Sequence, residues 1–207
     1  MTIQLLRQKL EQQKGQKQQI EKSLTQLQTD LVESKRSLRK HEQAREIIRE
    51  VGLKTQEQLQ FHISDITSLA LEAVFDEPYE LQVEFVQRRN KTECDLYFVR
   101  DNEKVDPLSA SGGGAVDVAA FALRIASWSM NRPRTRNIMI LDEPFKHLKG
   151  EVENRKVLEM IKEISQKLKV QIIMISDERI SRDATIEATD RLFEVSINKG
   201  KSKVEMS

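Results

Sequence analysis

One cysteine, Cys94, stands in 207 residues, so no disulfide can close within the chain. Its place in a strand-like run reads as a structural thiol rather than a nucleophile. Aromatic residues make up only 5% of the chain against 32% charged residues, a balance that suits a helix-rich protein with a long solvated element. Neither sign of charge is in excess. The 34 Lys and Arg nearly cancel the 33 Asp and Glu, leaving a net charge of +1, and no bulk pull toward DNA or a membrane follows from composition. No apolar run reaches membrane-spanning length, and the Gln- and Lys-rich start lacks the form of a signal peptide. These absences predict a soluble, cytoplasmic chain with no membrane partner. Its length suits one ordinary domain plus an extension.

The extension comes first. With Ile3 as an a position, the a set is Ile3, Leu10, Lys17, Leu24, Leu31, Leu38 and Arg45, and the d set is Leu6, Gln13, Ile20, Leu27, Ser34, His41 and Ile48. Nine of these fourteen are apolar, and the unbroken 3.5-residue period predicts a left-handed coiled coil. Gln13, Lys17, Ser34 and His41 would weaken the seam and could fix its register. Gly52 is expected to break the repeat, so residues 1–52 read as a coiled-coil arm. A second helix is expected from Thr55 to Phe75, stopped by Asp76-Glu77-Pro78. Two strand-like runs follow, Glu80 to Val86 and Glu93 to Val99, around the polar turn Arg88-Arg89-Asn90-Lys91, and they read as an antiparallel hairpin. Asp101 to Pro107 reads as loop.

Two stretches carry chemistry. The first is Leu108-Ser109-Ala110-Ser111-Gly112-Gly113-Gly114, leading into an apolar helix from Ala115 to Met130. Glycines at a helix mouth let backbone N–H groups approach an anion, and the helix dipole favours negative charge there. The second is the apolar run Ile138-Met139-Ile140-Leu141, ending in Asp142-Glu143. A buried strand closed by two carboxylates can offer one to Mg²⁺ and set the other beside an attacking water. Glu151 to Leu168 then reads as an amphipathic helix and Val170 to Ile175 as a buried parallel strand, a βαβ order that makes the domain α/β. The chain closes with a hairpin, Arg191 to Ile197 and Ser202 to Met206. Gly200-Lys201-Ser202 mimics the end of a phosphate-binding loop. The upstream glycine of Gly-x-x-x-x-Gly-Lys-Ser/Thr is missing, so these residues read as the hairpin turn.

In this order and about 30 residues apart, the glycine loop and the acidic strand end resemble the signature and Walker B motifs of the C-terminal lobe of an ABC-type ATPase head. Within that superfamily the chain most resembles the SMC/SbcC class of DNA-repair and chromosome-organising ATPases. The signature-like residues are Leu108 to Gly114, the Walker B-like residues Ile138 to Pro144, and the tail from Ala188 to Val195 and Ser196 to Glu205 is similar to the closing strands of that class. The implied fold is α/β: half of an ABC ATPase head, a mixed sheet with flanking helices over residues 53–207, preceded by a long N-terminal coiled-coil helix.

The resemblance also implies roles. Asp142 would hold Mg²⁺ and Glu143 would polarise the attacking water. Ser111, Gly112, Gly113 and Gly114 would face the γ-phosphate of ATP bound on an opposing head. No Walker A is present, so the resemblance implies a partner that supplies the P-loop, either an N-terminal lobe or an SbcC-like protein. It also implies a homodimer through coiled coil or head, with a nuclease and DNA as further partners. The chain departs from the family pattern at two positions. Lys149 stands where an Asp is usual, and Asp177, in Ser176-Asp177-Glu178, occupies the switch position where relatives have a His on the γ-phosphate. Three readings follow: an ATPase half-subunit completed by a P-loop lobe, a non-catalytic coiled-coil structural or regulatory protein of the same descent, and a piece of a longer SMC-like protein that begins in mid-heptad.

Overall fold

The computed structural model describes residues 3–89, 91–133, 135–176, 180–198 and 200–206. Two compact units divide the chain, one up to Thr55 and one from Gln56 to Ser207.

Helix α1 runs Ile3–Val74 without interruption. The break expected at Gly52 does not occur, and the second helix expected from Thr55 is the end of the first. Glycine in a helix interior costs only about 1 kcal/mol relative to alanine, whereas proline costs about 3. Glu50 and Lys54 also bridge across the glycine at 2.8 Å in the favoured order, acid before base at i,i+4. Within residues 3–55, Leu6, Leu10, Ile20, Leu24, Leu27, Leu31, Leu38 and Ile48 are all exposed. No described residue of this first unit covers the heptad stripe.

In the second unit, the last turns of α1 bury Thr67, Ala70, Leu71 and Val74. The helix ends where Asp76-Glu77-Pro78 was expected to stop it, and the Ser68 hydroxyl accepts a bond from the Leu81 N–H at 2.9 Å, tying the helix to the first strand. Strands β1 (Glu80–Arg88) and β2 (Lys91–Arg100) pair antiparallel in the expected hairpin, each strand two residues longer at the turn than the apolar pattern suggested and β2 one residue longer at its far end. Arg88 holds Asp95 through two bonds of 2.8 and 2.6 Å, which extends the pairing beyond the apolar residues. The stretch read as loop contains a third strand, β3 (Glu103–Val105), paired with β2, and a short helix, α2 (Pro107–Ala110). Each has at most four residues, too few for a period to register in sequence.

Helix α3 (Gly113–Met130) supplies the centre of the core with Ala115, Val118, Ala119, Phe121, Ala122, Ile125 and Ala126 buried. Strand β4 (Ile138–Asp142), helix α4 (Glu151–Leu168) and strand β5 (Gln171–Ile175) form the expected βαβ unit, with β4 and β5 parallel and Asp142 opposite Ile175. A further helix, α5 (Arg182–Ala188), precedes the closing hairpin of β6 (Phe193–Asn198) and β7 (Lys201–Met206). Gly200 sits in its turn at φ +75°, a conformation glycine adopts freely. The fold is α/β as expected, with its parallel and antiparallel pairings divided among three sheets, β1-β2-β3, β4-β5 and β6-β7. No helix among the described residues is long and apolar enough to cross a membrane.

Candidate functional site

Strand β4 alternates. Leu141 is buried and Met139 half-buried against the core, while Ile138, Ile140 and Asp142 face outward. This period of two carries the Asp142 carboxylate to the surface at the carboxyl end of a parallel strand, the edge where α/β sheets place ligands. Glu143 follows at φ 42°, in the left-handed region that non-glycine residues seldom occupy. Its N–H donates to the Ile175 carbonyl at 3.0 Å and its own carbonyl accepts from Lys146 N–H at 3.3 Å. The chain therefore turns sharply at Glu143, away from the strand line, and leaves both acids exposed. A cavity of about 20 Å³, close to the volume of one water, lies beside the turn, lined by Glu143, Phe145, Leu148, Asn154, Met174 and Ser176 among others.

Ser111 lies between α2 and α3. Asp106 caps α2, its carboxylate accepting from the N–H groups of Leu108 and Ser109 at 2.9 Å each and from the Ser109 hydroxyl at 3.1 Å. Those bonds, the Ser109 amide foremost, hold the Asp106 carboxyl below its ordinary value. The Ser111 hydroxyl donates to the Pro107 carbonyl at 2.5 Å, so its proton is engaged within the loop. Gly112 is the N-cap of α3 and makes no side-chain cap bond, and Gly113 and Gly114 open the helix. The first N–H groups of a helix have no partner within it. Gly113 is exposed and Gly114 half-buried.

The glycines have a second reason that spacing did not show. A Cβ on Gly113 would stand 2.7 Å from the His147 Cβ, and one on Gly114 would meet the Leu148 Cδ1 at 2.9 Å and its Cα at 3.3 Å. Only bare backbone lets the turn after Glu143 lie this close to the start of α3. Gly112 has nothing within 4 Å. The structure thus brings the glycine end of α3 against the segment that follows the two acids.

Asp117, one turn into α3, is a residue that sequence reasoning missed. Its carboxylate accepts from the His147 backbone N–H at 2.8 Å and lies 3.2 Å from the His147 Nδ1. The available signal was a single acid in a mostly apolar helix. Gly150 caps α4 at φ +107°, where its carbonyl accepts from both the N–H and the side-chain amide of Asn154 at 3.2 and 2.7 Å. Asp177 lies outside the described residues. Lys149 is exposed, next to Gly150. Partial desolvation, and then the Asp95 charge, hold the Cys94 thiol above its ordinary pKa.

No group of three or more His, Cys, Asp or Glu able to cage a metal occurs among the described residues. Mg²⁺ does not require such a cage. It keeps several waters and is held by one or two carboxylates together with phosphate oxygens, and a single exposed Asp142 suits that share.

No protein-family model matches the sequence, and no curated protein matches it at the level of sequence. Solved structures do. The chain is similar to a structure from work on the structural biochemistry of ATP-driven dimerization and DNA stimulated activation of SMC ATPases, with a TM-score of 0.56 and 20% identity over 76% of this chain and 88% of that one. It is similar to an SmcHead bound to the C-winged helix domain of ScpA, with a TM-score of 0.56 and 20% identity over 77% of this chain and 45% of that one. A third similar structure is the Smc head domain with an extended coiled coil bound to the C-terminal domain of ScpA, derived from Pyrococcus furiosus, with a TM-score of 0.57 and 20% identity over 76% and 36%. The chain spans less than half the length of the last two. At this identity the likeness establishes the fold, that of SMC head domains with their coiled coil.

Proposed function

We propose that this chain is the C-terminal half of an SMC/SbcC-like ATPase acting in DNA repair or recombination, lending signature loop and Walker B acids to an ATP site that a partner's P-loop completes. The observation that carries the reading is the turn at Asp142-Glu143. Two exposed carboxylates stand at the carboxyl end of a parallel strand, the second at φ 42° with its N–H bonded to the Ile175 carbonyl. Backbone strain of this kind persists where surrounding structure over-determines it and is concentrated at functional sites. In this reading Asp142 takes Mg²⁺ and Glu143 accepts a bond from the attacking water. Ser111, Gly112, Gly113 and Gly114 face the γ-phosphate across a dimer, and Asp177 occupies the switch position. ATP and Mg²⁺ supply the transferable phosphoryl group and the charge that draws it into place.

The β4–β5 pair supports the need for a partner. Parallel sheets are covered on both faces, yet Ile138, Ile140, Ile173 and Ile175 remain 39%, 69%, 45% and 56% exposed on one face of this pair. A P-loop lobe seated there would cover them and bring its phosphates to the same strand ends. The test is ATP turnover by the purified chain, alone and mixed with each P-loop-bearing SMC-type lobe encoded in the same genome. Turnover on mixing, lost with Glu143→Gln while ATP binding persists, is the expected result. Absence of both binding and turnover with every such lobe overturns the reading.

The uncovered heptad stripe of α1 favours a second reading, a coiled-coil structural or regulatory protein that keeps the ATPase fold without its chemistry.

A further inference from the structure

The turn after Glu143 is anchored at several points. Phe145 and Leu148 are buried at 7% and 3% exposure, and Phe145 meets Phe121 of α3 edge to face at 5.5 Å. Within the turn, Lys146 N–H donates to the Glu143 carbonyl and Leu148 N–H to the Phe145 carbonyl at 3.0 Å. His147 differs from these neighbours. Its side chain is 54% exposed, so packing does not explain where it lies, yet the Asp117 carboxylate facing it is only 14% exposed. An exposed ion pair alone contributes little. Here the carboxylate also takes the His147 main-chain N–H at 2.8 Å, which fixes backbone rather than a mobile side-chain tip. A proton on Nδ1 satisfies the second contact whether the imidazole is neutral or cationic. The missing Cβ of Gly113 completes the fit, since His147 occupies that space.

We propose that Asp117 and His147 are a positioning clamp that locks the Glu143 turn to the first turn of α3, so that the water-polarising carboxylate and the glycine amides are set as one body. The inference rests on the proposed ATPase function for its consequence, though not for its geometry. Asp117 acts through His147 and touches no substrate. A nucleotide drawn to the α3 amides would then steady Glu143 through the same bonds, which regulates the site without any further ligand.

Amide hydrogen exchange on the chain alone and turnover of the chain mixed with its P-loop lobe test the clamp separately. Asp117→Ala is expected to speed exchange of residues 143–148 by about tenfold or more while β1, β2 and α4 keep their protection. In the mixed enzyme it is expected to lower kcat about tenfold with KM for ATP changed by less than about threefold. Asp117→Asn, which still accepts from one N–H, should recover part of both losses, and His147→Asn should exceed His147→Ala because its amide can replace the Nδ1 donor. Unchanged exchange in Asp117→Ala overturns the clamp, as does a raised KM at constant kcat. Loss of protection throughout the chain in both Asp117→Ala and Asp117→Asn also overturns it, by making Asp117 a general fold residue. If the wild-type mixture shows no turnover, the ATPase reading fails and exchange alone decides the clamp.

Discussion

Glycine at 113 and glycine at 112 look alike in sequence and differ in what they permit. A methyl group at 113 collides with His147 at 2.7 Å, whereas at 112 it meets nothing within 4 Å and φ is an ordinary −70°. Gly113→Ala is therefore expected to lower stability by about 1–3 kcal/mol through displacement of the His147 turn. Gly112→Ala should stay within about 0.5 kcal/mol of the parent. Urea unfolding of the two variants compares them directly. Asp106 gives a pH-dependent case. Its folded carboxyl is held below the ordinary 3.8 by bonds from Ser109 and Leu108, so it binds a proton less readily folded than unfolded. Its contribution is complete above 3.8 and fades as pH falls through the lowered value. Exchange protection of the Leu108 and Ser109 amides should accordingly hold down to that ordinary value and drop below it. Asp106→Asn should flatten the dependence, because the amide oxygen still accepts but does not titrate.

At the scale of elements, α1 shows why a break signal can mislead. A glycine flanked by Glu50 and Lys54 stays helical, because its local cost of about 1 kcal/mol is outweighed where the helix of 72 residues continues on both sides and propagation adds a bond for every residue fixed. The stripe on its first part has the opposite character. Leu24, Leu27 and Leu31 are 55%, 65% and 54% exposed, a narrow a/d seam of the kind that pairs helices. Light scattering should find the chain self-associated at micromolar concentration, and Leu27→Lys with Leu31→Lys should return it to monomer without changing its helix content. A monomeric parent would remove the case for coiled-coil pairing.

For the whole molecule, the second unit closes a core on one side of β4–β5 and leaves the other open. Leu141 is 2% exposed while Ile140, its neighbour, is 69% exposed. The chain alone is expected to bind a hydrophobic dye at this face and to lose that binding when a P-loop lobe joins it. Ile173→Lys should block the association while leaving the unfolding midpoint nearly unchanged, since Ile173 is not in the core. Equal dye binding with and without the lobe would show that the lobe sits elsewhere.

The sequence alone carried most of the longer elements. The 3.5-residue period marked the first part of α1, a run of apolar residues ending in acids marked β4, the amphipathic pattern of Glu151 to Leu168 gave the bounds of α4, and the paired strand-like runs gave both hairpins. These are local properties, written in spacing and propensity. Tertiary structure decided which glycines are sterically required, that Glu143 turns at positive φ, that β3 and α2 form in an apparent loop, and that Asp117 meets His147 across 30 residues. Each of these depends on what another part of the chain presses against it, and a period along the chain holds no information about a neighbour brought close only by folding.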